Sequence, residues 1–463
     1  MHSVAVLNIV GLVPSLLGDG MPSISAFARR CGGIRSVIPD LPAVTSTVQA
    51  SMLTGVRPAK HGIVGNGWLD RSLNEVHFWR QSDALVQAPR VWHAARQRDP
   101  AFTCANVCWW HAMHSTADIT VTPRPMYPAD GRKIPDIWTA PETLREALQS
   151  ELGPFPLFRF WGPGADIRST DWIARAAIRT VELHSPTLTL VYLPHLDYVL
   201  QREGPEGRSV RDEMREMDRV FDALLRFFDA RGTRVMVVSE YGISQVSDPV
   251  FLNRALRESG MVRWREELGR EVADPAASDA FAICDHQVAH VYAPELSRRG
   301  RSLEPVRRVL EGVPGVEQVL DRSAQAAHGI DHPRSGDFVC IAAPGHWFAY
   351  PWWTDDARAP DYARTVDIHR KPGYDPCELF LAPPRIVSRA KVMWRLAQRK
   401  VGMRTLLDVI PLDARLVRGS HGRVEAAHGL RPVCIADDPN WDDVEVPATA
   451  VHDAILRQIF GTA

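Results

Sequence analysis

Residues 42–68 read PAVTSTVQASMLTGVRPAKHGIVGNGW. Thr45 follows a Pro-containing turn and opens a helix-like stretch, TVQASMLTG. A threonine hydroxyl at the start of a helix has two uses. It caps the helix by accepting a backbone N–H, or it attacks an electrophile while the exposed amides and the positive end of the helix dipole stabilise the resulting anion. A hydroxyl is a poor nucleophile until a base or a metal takes its proton, so the second use needs partners elsewhere in the chain. Thr54-Gly55, Pro58, His61-Gly62-Ile63 and Asn66-Gly67 follow, a run that reads as a glycine-punctuated loop.

The elements that would position such partners are visible in the apolar pattern. VAVLNIV (4–10), FTCANVCWW (102–110), LTLVYLP (188–194), RVMVVSE (234–240) and DFVCIAA (337–343) are short, β-branched runs, separated by helix-like stretches such as 171–184 and 209–230. Strands that are apolar throughout and alternate with helices predict an α/β fold whose mainly parallel sheet is covered on both faces. In such sheets functional groups gather beyond the carboxyl ends of the strands. Asn8 stands near the end of the first run. Trp109, Trp110 and His111 close the second, His195 and Asp197 follow the third, and Ser239, Glu240 and Tyr241 follow the fourth.

The segment VTSTVQASMLTGVRPAKHGIVGNGW resembles the nucleophile segment of the nucleotide pyrophosphatase/phosphodiesterase family, within the alkaline phosphatase superfamily. The resemblance implies an alkaline-phosphatase-like fold with Thr45 as nucleophile and Asn66 as the phosphate-binding asparagine. It also implies a two-metal site, usually zinc, that clamps the attacking and leaving oxygens. Several expected ligands are replaced. The first strand has Asn8 and no Asp, LPHLDYVLQREGP (193–205) gives Asp197 and Gln201, and VVSEYGI gives Glu240 and Tyr241 where the family has Asp-His. For the late histidine there are two candidates, His369 in VDIHRKPGYDP (366–376) and His421 in VRGSHGR (417–423). The candidate metal set is therefore Asn8, Asp197, Glu240, His369 and His421. Asn and Gln oxygens are uncharged and bind zinc weakly, so Mg²⁺, Mn²⁺ or Ca²⁺ are alternatives that accept such oxygens more readily. This set would hold one metal well and a second one poorly.

His195, Trp109 and Arg124 are candidate substrate contacts. Arg124 lies in STADITVTPRPMYPADGRKIPDIW (115–138), a stretch that reads as a polar, Pro-rich loop; arginine matches phosphate oxygens in a bidentate way. CDHQVAH, with Asp285, His286 and His290, reads as structural.

The 463-residue chain has 54 basic and 55 acidic residues, a formal net charge of −1. That offers no bulk field for a nucleic acid polymer or an anionic membrane. The expected partner is a small phosphorylated substrate; the oligomeric state cannot be read. Seven scattered cysteines without a C-x-x-C are expected as buried thiols of a cytoplasmic protein, and no run reaches the length of a membrane span. Residues 1–250 and 336–430 are expected to form the catalytic core, 251–335 an inserted subdomain, and 431–463 a C-terminal tail that wraps it, acidic at DDPNWDD. The functional expectation is a metal-dependent hydrolase of phosphodiester or pyrophosphate bonds working through a phospho-threonine. The alternatives are a weakened pseudoenzyme that binds a phosphorylated metabolite, and a phosphonoacetate-hydrolase-like enzyme.

Overall fold

The computed structural model describes residues 1–129, 132–400, 403, 405–424, 427–438 and 444–461. By internal contacts the chain forms two compact units. One comprises Met1–Ile63, Gln81–Ile243 and Val424–Ala463, and the other Val64–Arg80 and Ser244–Arg423.

The first unit is built on a nine-stranded sheet. Its strands are β1 (Val4–Ile9), β2 (Arg35–Ile38), β3 (Cys104–Val107), β4 (Ile119–Pro123), β5 (Ile137–Ala140), β6 (Leu188–Leu193), β7 (Arg234–Val238), β8 (Val433–Ile435) and β9 (Glu445–Pro447). They lie in the order β9, β2, β8, β7, β1, β6, β3, β4, β5. The central strands β7, β1, β6, β3 and β4 are mutually parallel, whereas β8 runs antiparallel to both its neighbours and β5 is antiparallel to β4. Every residue of β1 and β6 is buried, as strands covered on both faces require. Helices α2 (Ile167–His184), α3 (His195–Glu203) and α4 (Val210–Asp229) follow the periodic stretches. In α4, Val210, Met214, Met217, Phe221, Leu224 and Phe228 are buried, a repeat of three or four residues that forms one apolar stripe.

Two expectations change here. The stretch 115–138 is only in part a loop: Ile119–Pro123 is β4, Ile137 and Trp138 open β5, and the Arg124 N–H continues the pairing by bonding the Asp136 carbonyl at 3.0 Å, while residues 130 and 131 lie outside the described residues. Its alternating Ile-Thr-Val-Thr was a strand signal outweighed in the sequence by the prolines around it. Nor is the C-terminal stretch a wrapping tail, since it supplies β8, β9 and the helix Ala450–Phe460. Of its acidic DDPNWDD stretch, residues 439–443 lie outside the described residues.

The second unit centres on a four-stranded antiparallel sheet in the order Phe281–Asp285, Val288–Tyr292, Phe338–Ala342, Val316–Leu320. The run 337–343, expected in the parallel core, is therefore a strand of this sheet, and residues 336–423 group with 251–335 rather than with the first unit. A short apolar run looks the same in a buried antiparallel strand and in a parallel one, so periodicity alone cannot place it. Among the described residues no helix is long and apolar enough to cross a membrane. All seven cysteines are buried and unpaired.

Candidate active site

Strand β1 lies between β6 and β7, with Asn8 in register with Tyr192 and Val238. Three neighbouring strands thus end together. β7 stops at Val238 and releases Glu240 and Tyr241; β6 stops at Leu193, and Pro194 turns the chain into α3. Asp197 falls in the first turn of α3 and Gln201 one turn later on the same face, the neighbour relation of residues four apart.

Helix α1 (Thr45–Thr54) is buried along its whole length. Its N-cap is Val44 in extended backbone, without a side-chain cap, so Thr45 is the first helical residue and its hydroxyl is not a cap. The first intrahelical bond is Val48 N–H to the Val44 carbonyl at 3.0 Å, which leaves the amides of the preceding turn outside the helix's own ladder. Gly55 ends α1 in the left-handed region at φ 69°, where glycine carries no side-chain penalty.

The side chains form one connected network. Thr45 Oγ lies 3.2 Å from Tyr241 Oη, and Tyr241 donates to Asp197 Oδ1 at 3.2 Å. Gln201 Nε2 donates to Asp197 Oδ2 at 2.7 Å. Glu240 Oε1 accepts Asn8 Nδ2 and Gln49 Nε2, each at 2.5 Å, while Gln49 Oε1 accepts the Trp110 N–H at 2.6 Å. Asn8, Thr45, Gln49, Asp197, Gln201, Glu240 and Tyr241 are all buried. Burial raises the Asp197 carboxyl to about 7, against the pull of Gln201 and Tyr241. It raises Glu240 to about 8, with Gln49, Asn8 and Thr45 opposing.

This donor set does not fit the two-metal centre implied by the resemblance. Among the described residues no group of three or more His, Cys, Asp or Glu side chains is arranged to hold a metal ion. Both oxygens of Asp197 and one of Glu240 already accept hydrogen bonds from neutral side chains. Each such donor takes one of the roughly four lone-pair directions of a carboxylate, and two carboxylates without a histidine beside them are fewer charged ligands than a two-metal centre needs.

The remaining candidates are distributed as follows. His195 begins α3 and is buried, with Nε2 2.7 Å from Glu213 Oε2 on α4; that contact, the largest cause, holds Glu213 below its ordinary range. Trp109 is fully buried in the hydrophobic core of the first unit, so it packs rather than stacks on a ligand. Arg124 is exposed beyond β4.

Asn66, His369 and His421 belong to the second unit. There Asp285 clamps Asn66, accepting its N–H on Oδ2 at 2.8 Å and its side-chain Nδ2 on Oδ1 at 3.1 Å. The same Oδ1 is 2.8 Å from His286 Nδ1. The His286 ring stacks on Tyr374 and lies against His421, with centroids 3.7 Å away in each case. His369 is exposed, with Nδ1 3.1 Å from the Phe78 carbonyl.

Sequence reasoning passed over Gln49 and read Asp285, with His286 and His290, as structural. Gln49 carried a usable signal, since it follows Thr45 by four residues and shares its helix face. The pairing of Asp285 with Asn66 carried none, because the two are 219 residues apart.

The type I phosphodiesterase / nucleotide pyrophosphatase family matches residues 4–375. An uncharacterized pyrophosphatase/phosphodiesterase of Schizosaccharomyces pombe is 24% identical over 257 residues, 53% of this chain and 46% of that protein. The chain thus matches about half the length of that relative. Among solved structures, an inactive variant of murine ectonucleotide pyrophosphatase/phosphodiesterase 5 in complex with AMP superimposes with a TM-score of 0.59 at 13% identity, covering 100% of this chain and 96% of that one. Phosphonoacetate hydrolase from Sinorhizobium meliloti 1021 in complex with phosphonoformate gives 0.62 at 14% identity, over 99% and 96%. At these identities the likeness is one of fold. The family match runs from the start of β1 to Asp375, and the chain belongs to the type I phosphodiesterase / nucleotide pyrophosphatase family.

Proposed function

We propose that this chain hydrolyses a phosphodiester or pyrophosphate bond in a small, nucleotide-like substrate, with Thr45 as the nucleophile. The observation that carries the proposal is the position of Thr45. Its hydroxyl is buried at the first residue of α1, it is not used as a cap, and it is bonded to Tyr241. A hydroxyl at that point faces the positive end of the helix dipole, where negative charge on a transferring phosphoryl group is stabilised. Attack forms the Thr45 Oγ–phosphorus bond and expels the leaving oxygen; water then cleaves the phospho-threonine.

The family is generally dependent on a divalent metal. No step is assigned to a metal here, because the described residues place no third His, Cys, Asp or Glu beside Asp197 and Glu240.

The test is hydrolysis of a bis(nitrophenyl) phosphate, a dinucleotide pyrophosphate and phosphonoacetate by the parent and by Thr45→Ala. Because Thr45 caps nothing, Thr45→Ala is expected to fold normally and to lose essentially all turnover. Thr45→Ser, which keeps the attacking oxygen, should retain part of the rate. The engaged carboxylates favour a second reading, a protein that binds a phosphorylated metabolite without turning it over. That reading requires a parent with measurable affinity for nucleoside monophosphate, no hydrolysis of any of the three compounds, and unchanged affinity in Thr45→Ala.

A further inference from the structure

Tyr241 stands where the resemblance implies a metal-binding histidine, and it touches the proposed nucleophile. Its phenol has one hydrogen. With that hydrogen on Asp197 Oδ1 at 3.2 Å, the phenol oxygen accepts in the 3.2 Å contact with Thr45 Oγ and the Thr45 hydroxyl donates. In this arrangement the chain runs from Thr45 O–H to Tyr241 Oη and from Tyr241 O–H to Asp197 Oδ1. The far oxygen of Asp197 is held by Gln201 Nε2 at 2.7 Å, which fixes the carboxylate plane. All four side chains are buried, so bulk water does not compete with the chain.

We propose that Tyr241 is a catalytic proton relay, carrying the Thr45 proton to Asp197 as Thr45 attacks phosphorus. The proposal rests on the reading of Thr45 as nucleophile. As the Oγ–phosphorus bond forms, the Thr45 proton moves to Tyr241 Oη and the proton of Tyr241 moves to Asp197 Oδ1. The bond to the leaving oxygen breaks, and that group departs as its anion. In the second half, water adds to phosphorus and releases one proton to solvent while the bond to Thr45 Oγ breaks. The proton on Asp197 returns through Tyr241 to Thr45 Oγ. The sum is one diester and one water giving one monoester, one leaving-group anion and one proton. The relay gives this chain a way to activate a threonine that uses only its own side chains, at positions where the family pattern has metal ligands. Asp197 acts through Tyr241 and Gln201 through Asp197; both are positioning residues.

The experiment is a double-mutant cycle on Tyr241→Phe and Asp197→Asn, each keeping the shape of its side chain, with steady-state hydrolysis of bis(nitrophenyl) phosphate and near-UV circular dichroism of every variant. A positioned base contributes about 100-fold or more. Tyr241→Phe is therefore expected to lower kcat by roughly 100-fold with KM changed by less than about 2-fold. Asp197→Asn should do the same, and the double variant should be no slower than the slower single variant, because groups acting as one unit are non-additive. A Tyr241→Phe protein that keeps the parental kcat while Thr45→Ala is inactive overturns the relay and leaves the nucleophile standing. Losses that multiply in the double variant overturn the relay as well. A parent with no hydrolysis, or with hydrolysis indifferent to Thr45→Ala, defeats the nucleophile reading and the relay together. If Asp197→Asn loses its near-UV spectrum, Tyr241→Phe alone decides through its kcat and KM.

Discussion

Glu240 Oε1 accepts the side-chain amide of Asn8 at 2.5 Å, although the two residues are 232 positions apart. The contact joins the carboxyl ends of β1 and β7, which are neighbours in the sheet. An asparagine in this place gives a buried carboxylate a neutral donor. A second carboxylate would instead set two like charges in contact, relieved by a shared proton or, where both are ionised, by a cation.

The Asn8→Asp variant tests that argument. It is expected to lose roughly 3 kcal/mol of stability near pH 8 in chelator, the scale of an uncompensated buried charge. Added Mn²⁺ or Zn²⁺ should restore much of that loss and should leave the parent's melting temperature unchanged. A parent stabilised by these ions as strongly as the variant would contradict the account of the donor set.

Lys371 is buried and lies 2.7 Å from both Asp375 and Glu378, themselves buried. Lys371 and Asp375 belong to VDIHRKPGYDP (366–376) and Glu378 to the short helical turn Pro376–Leu379 that follows, and the arrangement is an ion triad within the second unit. Lys371→Met leaves two buried carboxylates facing one another, so the expected loss is about 3–5 kcal/mol by urea unfolding. A loss below about 1 kcal/mol, the range of an exposed pair, would show that the triad is hydrated in solution.

His290 gives a prediction with pH. Its Nδ1 accepts the Gly336 N–H at 3.1 Å and its Nε2 lies 2.8 Å from the Val64 carbonyl, so the ring is held neutral with its hydrogen on Nε2. Burial, the largest cause, lowers its pKa to about 4. The folded value is below the unfolded one, near 6.5, so the stability this group contributes is full above pH 6.5 and lost as pH falls toward 4. The amount is about 3 kcal/mol by linkage. Unfolding free energies measured between pH 7 and pH 4 should fall less steeply in His290→Asn than in the parent; identical slopes would contradict the assignment.

The sequence carried the centre of the first unit well and its margins poorly. Asn8, Asp197, Glu240 and Tyr241 could be located because strand ends are visible as apolar runs, and the ends of neighbouring parallel strands collect polar groups. The role of Tyr241 could not. A tyrosine after Ser-Glu reads as a lost histidine until its oxygen is seen to touch Thr45. Trp109 looked like a stacking surface because it closes an apolar run, yet it is fully buried in the core; the apolar body of a tryptophan serves either place. Of the two uses open to a threonine at a helix start, capping falls away by one residue, since Val44 and not Thr45 stands outside the helix, a shift no propensity resolves. The grouping of residues 336–423 with the second unit depends on pairings such as Val291 with Phe338, and such distant pairings leave no trace in local pattern.

The central claim is that Thr45 attacks phosphorus, and acid-quenched mass spectrometry of the parent during turnover of an activated diester tests it most directly. The account predicts a phosphoryl-ester adduct on the peptide containing Thr45, formed within one turnover, absent in Thr45→Ala and present in Thr45→Ser. Hydrolysis that continues at the parental rate in Thr45→Ala, with no adduct on that peptide, would contradict it.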